Sequence, residues 1–235
     1  HEIPYAVLPF EGKHLVQRFN LRVLPHAAMV LRPSVSTKAQ SPAAIFYYAG
    51  DNPTNALQRI REEADQVGGL YGVTPIEAPN RGTLLQALET FDIVHFIVHG
   101  RTQSSATSSL AHIDLPATQS DNGDLEVTHV LLHPRPLSAR IAVLASCELG
   151  MGRRSPGDDG VGLARVLLQK GVGAVIAPLW AIGNGKETRD MAEYIHQGLR
   201  AGKSAHIALA DAQRSAIGKM LAGYWSPFIV VGGAP

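Results

Sequence analysis

Three strand-length runs constrain this chain most: Ile93-Val94-His95-Phe96-Ile97-Val98, Ile141-Ala142-Val143-Leu144-Ala145 and Ala174-Val175-Ile176-Ala177-Pro178-Leu179-Trp180. Each is apolar nearly throughout instead of alternating, which is the pattern of strands covered on both faces. Helical periodicity separates them. Leu57, Ile60, Ala64 and Val67 share one face of a helix, with Arg59, Arg61, Glu62, Glu63 and Asp65 expected to point elsewhere and Gly68-Gly69 to stop it. Thr83 to Phe91, Val161 to Gln169, Lys186 to Leu199 and Ser204 to Lys219 read as further helices. Ile45 to Tyr48, Val73 to Ile76 and Pro227 to Val231 read as further strands. Strands alternating with helices predict right-handed crossovers and an α/β fold with a mostly parallel central sheet of about six strands.

The ends of the chain are less regular. Tyr5 to Pro9, Asn20 to Pro25 and Met29 to Leu31 make the start β-rich, so residues 1–40 are expected to pack on, or link to, a core spanning 41–235. Arg101 to Asp124 is rich in Ser, Thr and Gln and is expected to form a loop or hairpin. The opening, His1-Glu2-Ile3-Pro4-Tyr5, suggests a domain cut from a larger protein.

Charge and cysteine content narrow the function. Among 235 residues, 21 Lys and Arg nearly balance 20 Asp and Glu, for a net charge of +1. No basic run nominates a nucleic acid or an anionic membrane as a direct partner. No apolar run reaches the ~20 residues of a membrane span. The single Cys allows no internal disulfide, which fits a reducing, cytoplasmic setting.

In open parallel sheets, chemistry collects beyond the carboxyl ends of the strands. His99-Gly100 follows the Ile93 run, and Ser146-Cys147 follows the Ile141 run. If these strands are neighbours, an imidazole and a thiol stand side by side, with the His about 50 residues upstream of the Cys as in caspases. The thiol needs a base to become thiolate at neutral pH, and His99 can take that proton and return it to a leaving amine. The backbone amides of Gly100 and Cys147 are the oxyanion-hole candidates.

The stretches Ile93 to Gly100, Ile141 to Gly150, Gly160 to Trp180 and Ala205 to Phe228 together resemble a CHAT domain, a caspase-like cysteine peptidase family of the clan that includes separase, gingipain and metacaspases. The resemblance runs from about Ile45 to Gly233. It implies a three-layer caspase-like sandwich with helices on both faces, a Cys147–His99 dyad and cleavage of a protein substrate without a cofactor. It also implies gating by TPR repeats or a ligand-sensing domain outside this sequence, and for some bacterial members a role in antiphage defence. Asp51, Ala145, Ile182 and Asn184 are the candidate substrate-binding positions.

The chain departs from the pattern in two places. Ala145-Ser146-Cys147 replaces the caspase Gln-Ala-Cys. No acid follows Trp180 before Glu187, which weakens an arginine pocket, and either a basic or an uncharged residue before the cut is open.

Other motifs have plainer readings. His95 shares a strand face with His99 and is either a supporting partner or a satisfied core histidine. A zinc site of His95, His99 and Cys147 lacks ligand spacing, and no metal is expected. Gly198 to Ser204 is one residue short of a phosphate-binding loop and lies between helices. Arg153-Arg154 is either a solvated turn or a processing loop. The rival to the peptidase is a silent scaffold or interaction module of the same fold.

Overall fold

The computed structural model describes residues 3–25, 42–50, 54–98, 100–102, 111–118, 122–145, 162–180, 182–183 and 185–233. Its centre is a six-stranded sheet built from β3 (Ala43–Tyr48), β4 (Ile76–Glu77), β5 (Ile93–Val98), β9 (Ile141–Leu144), β10 (Ala174–Pro178) and β11 (Phe228–Gly232). The spatial order is β11-β10-β9-β5-β3-β4, with every pairing parallel except β10 with β11. The three apolar runs are thus three consecutive strands at the centre of the sheet.

The two-residue period of a strand divides the core in two. Ile45, Tyr47, Ile93, Ile97, Ile141, Val143, Ala174 and Ile176 face one side. There they meet α1 (Thr54–Tyr71), α5 (Lys186–Arg200), α6 (Ala205–Ala216) and α7 (Ala222–Trp225). Phe46, Val94, Phe96, Ala142, Leu144 and Val175 face the other, against α2 (Arg81–Thr90), α3 (Val127–Leu131) and α4 (Leu163–Gln169). This is the expected three-layer arrangement. Among the described residues, no helix is long and apolar enough to cross a membrane.

Two helix readings need correction. α1 runs through Gly68-Gly69 and stops at Gly72, which adopts a left-handed conformation, with φ +68°, that glycine enters without steric cost. The Val73 amide caps the helix by donating to the Gly68 carbonyl at 3.1 Å. Gly68 is there for close approach, since a Cβ would lie 2.7 Å from the Val73 carbonyl oxygen. Glu63, expected to point away, turns inward because it lies three residues after Ile60 and four before Val67 on the buried face.

The N-terminal stretch is less extended than its composition suggests. Tyr5–Val7 and Leu15–Gln17 are 3-10 turns, and between them β1 (Pro9–Phe10) and β2 (Lys13–His14) form a small hairpin. Pro4 starts the first turn, and the Val7 amide donates to its carbonyl at 3.0 Å. Of Asn20 to Pro25, Val23 alone bridges the sheet, at Val231. Arg214 of α6 fastens this stretch to the core, donating to the Val16 carbonyl at 2.7 Å and to Asn20 Oδ1 at 2.7 Å. Met29 to Leu31 lie outside the described residues.

Arg101 to Asp124 contributes to a three-stranded antiparallel sheet, β6 (Gly100–Thr102), β7 (Ala111–Asp114) and β8 (Asp124–Glu126). Ile113 and Leu125 join it to the second core face.

Candidate active site

β5 lies in the middle of the sheet, paired in parallel with β3 on one side and β9 on the other. Tyr48 pairs with Val98, and Phe96 pairs with Leu144. The Ala145 amide then donates to the Phe96 carbonyl at 2.8 Å, carrying the β5–β9 register one residue past the strand. The described strands therefore bring together the segments that lead into His99 and into Cys147. His99, Cys147, Asp51, Asn184 and the Arg153-Arg154 loop lie outside the described residues.

Three of the remaining positions have defined surroundings. Gly100 opens β6 and pairs with Ile113 of β7. Ala145 is half-buried and packs against the α1/α5/α6 side of the core, and Ile182 is buried in that same cluster. Ile182 therefore presents its side chain to the hydrophobic interior.

Under β5 lies a polar chain of buried groups. His95 is fully buried, and its Nδ1 is 2.6 Å from His196 Nε2 of α5. His196 Nδ1 is 3.0 Å from the Tyr71 hydroxyl of α1, which also lies 3.4 Å from the His196 carbonyl. On the other side, His95 Nε2 faces Glu63 Oε1 at 3.5 Å, and neither atom has a hydrogen-bond partner among the described residues. Burial pushes the Glu63 carboxyl up to about 7 despite the Arg189 charge nearby, and holds His95 down to about 3. Burial, with His95 adding to it, also holds His196 well below the usual imidazole range.

Neutral histidines each carry one donor and one acceptor, so this chain has two consistent directions. With a proton on Glu63, donation runs from Glu63 towards Tyr71, whose hydroxyl turns to the His196 carbonyl. With Glu63 ionised, it runs from Tyr71 through His196 and His95 towards the carboxylate. His95 is thus a supported core histidine that ties β5 to α1 and α5. The sequence singles out His95 but does not flag Glu63, Tyr71 or His196. The signal for His196 is its place four residues after Ala192 and three before Leu199, on the apolar face of α5.

The sheet order, the helices on both faces and the strand ends define a caspase-like α/β sandwich. Two crystal structures of the Saccharomyces cerevisiae separase–securin complex share it. One is similar over 99% of this chain and 14% of the other, with a TM-score of 0.68 at 13% identity. The second is similar over 86% of this chain and 13% of the other, with a TM-score of 0.57 at 13% identity. The chain thus corresponds to a small part of the length of those proteins, and at such identity the likeness concerns the fold. No curated protein matches the chain. The CHAT domain model matches residues 1–233, and the chain belongs to the CHAT domain family.

Proposed function

We propose that this chain is a cysteine endopeptidase domain in which Cys147 is the nucleophile and His99 the general base and acid. One observation carries the reading. Phe96 and Leu144 are register partners on adjacent parallel strands, and His99 and Cys147 each follow their partner by the same number of residues. Equal continuation from a shared rung favours an imidazole beside a thiol at the sheet edge where α/β chemistry collects. The Gly100 and Cys147 amides are proposed as oxyanion donors, which is the usual backbone solution for an acyl-transfer intermediate.

Asp51, Ala145, Ile182 and Asn184 are proposed to border the substrate pocket. Given its burial, Ile182 shapes that border from behind, through packing. A protein substrate, cleavage without a cofactor and gating by a further sensor or repeat domain are proposed on the family resemblance. The separase structures, solved as complexes with securin, add support for association with a protein partner. A cytoplasmic setting rests on the single Cys, and a part in antiphage defence on the resemblance alone.

The test is peptide-library cleavage by the full-length protein under activating conditions. Cys147→Ala and His99→Ala are each expected to abolish cleavage with circular dichroism unchanged. Persistence of cleavage in either variant refutes the dyad. A complete lack of thiol-dependent cleavage in the wild type favours the scaffold reading.

A further inference from the structure

β7 and β8 put their apolar residues, Ile113 and Leu125, on the face that joins the core. By strand alternation their other face carries His112, Asp114, Asp124 and Glu126. His112 and Asp114 are buried, at 6% and 7% exposure, and Asp124 is half-buried. One donor atom from each of His112, Asp114 and Asp124 lies within 4.8 Å of the other two.

This grouping differs from an ordinary polar surface in two respects. First, Asp114 stands directly opposite Asp124 in the register. Like charges at such positions repel, and a cation shared between them offsets that repulsion. Second, the spacing of the buried His112 ring from its neighbour is long for a hydrogen bond. Its Nε2 lies 3.4 Å from Asp114 Oδ1. A charge-assisted N–H···O bond is about 2.7–2.9 Å. Two donors at zinc-ligand distance from one tetrahedral ion stand about 3.3–3.4 Å apart, so the observed spacing fits shared coordination better.

The surroundings suit a ligand set. Asn122 Nδ2 donates to Asp124 Oδ2 at 2.8 Å, the kind of outer support that orients a ligating carboxylate. Arg81 holds the same turn through the Asp124 carbonyl at 2.8 Å and Asn122 Oδ1 at 3.3 Å. Glu126 is engaged in accepting the Thr128 hydroxyl at 3.0 Å.

We propose that His112, Asp114 and Asp124 bind one divalent transition-metal ion of the zinc class, with water completing the coordination. The imidazole disfavours Mg²⁺ and Ca²⁺, which take oxygen ligands. The site sits on the sheet whose first strand, β6, begins at Gly100, and Arg101 of β6 pairs with His112. A bound ion therefore stiffens the segment that directly follows the candidate base. This departs from the sequence expectation of no metal, and it stands or falls apart from the peptidase reading because its test needs no cleavage.

The experiment is calorimetric titration of chelator-treated protein with Zn²⁺ alone, with Mg²⁺ and Ca²⁺ as separate arms. One equivalent of Zn²⁺ is expected per chain, with Tm raised by about 5–10 °C at hundredfold excess over Kd. Asp114→Asn and Asp124→Asn are each expected to weaken binding at least a hundredfold, while His206→Ala leaves it unchanged. Asp124→Asn, half-buried and close in shape, keeps the test open if Asp114→Asn does not fold. Co²⁺ substitution gives an independent signature, with tetrahedral or five-coordinate d–d bands and no thiolate charge-transfer band expected. Zinc binding unchanged in Asp124→Asn, a thiolate band implicating Cys147, preference for Mg²⁺ or Ca²⁺, or no stoichiometric binding each overturns the proposal.

Discussion

Replacing Glu63 with glutamine isolates the buried polar chain under β5. Glu63 is 3% exposed, and its Oε1 faces His95 Nε2 without a hydrogen-bond partner among the described residues. Burial raises its carboxyl from 4.5 to about 7. A group whose folded-state pKa is raised stabilises fully below its unfolded value and loses that contribution as pH climbs through the folded value. At 1.36 kcal/mol per unit, the loss between pH 4.5 and pH 7 and above is about 3 kcal/mol.

The amide introduced by Glu63→Gln keeps a donor towards His95 but cannot ionise. Wild type and variant should therefore be similar in stability at pH 4.5–5. The variant should gain progressively to about 3 kcal/mol at pH 8.5, or roughly 6–12 °C in Tm for a chain of this size. Urea unfolding at several pH values, followed by fluorescence of the buried Trp225, reads this directly. Stability curves that stay parallel across pH would refute the assignment of Glu63 as a neutral buried acid.

The histidines move the opposite way. His95 and His196 have lowered folded-state values, so their contribution is present above pH 6.5 and is lost as pH falls, for His95 through about 3; His95→Gln should flatten the acid limb of the same unfolding series. Gly171 has φ +118°, and a Cβ there would lie 2.2 Å from the Leu137 carbonyl oxygen. Gly171→Ala should thus cost at least about 2 kcal/mol by urea midpoint. Arg214→Met removes the fastening of the N-terminal stretch to α6 and should cost about 2 kcal/mol, with faster limited proteolysis between residues 18 and 25.

The central sheet was legible because its strands are buried on both faces, so their apolar runs required no knowledge of partners. The bounds of β5 follow from the sequence to the residue, and those of β9 and β10 within a residue or two, since His95 is the one polar residue within the three runs. Glu63 is misleading because charge outweighs position: its spacing from Ile60 and Val67 places it inside, and only a polar partner on another element makes that tolerable. That partner, His95, is distant in sequence, as is His196. Gly68-Gly69 misleads in the same way, because a glycine needed for close approach looks like a glycine that ends a helix. The alternation His112-Ile113-Asp114-Leu115 along and just past β7 is visible, but the Ser/Thr/Gln-rich surroundings leave loop and hairpin both open. Nothing local indicates that Asp114 faces Asp124.

The most direct measurement of the proposed chemistry is covalent labelling with an electrophilic peptide probe, read by mass spectrometry of the modified site in wild type and His99→Ala. The dyad predicts an adduct on Cys147 in the activated wild type, with labelling lost or slowed by orders of magnitude in His99→Ala because the thiolate is no longer generated. Equal labelling rates in the two proteins, or no adduct on Cys147 under activating conditions, would contradict it.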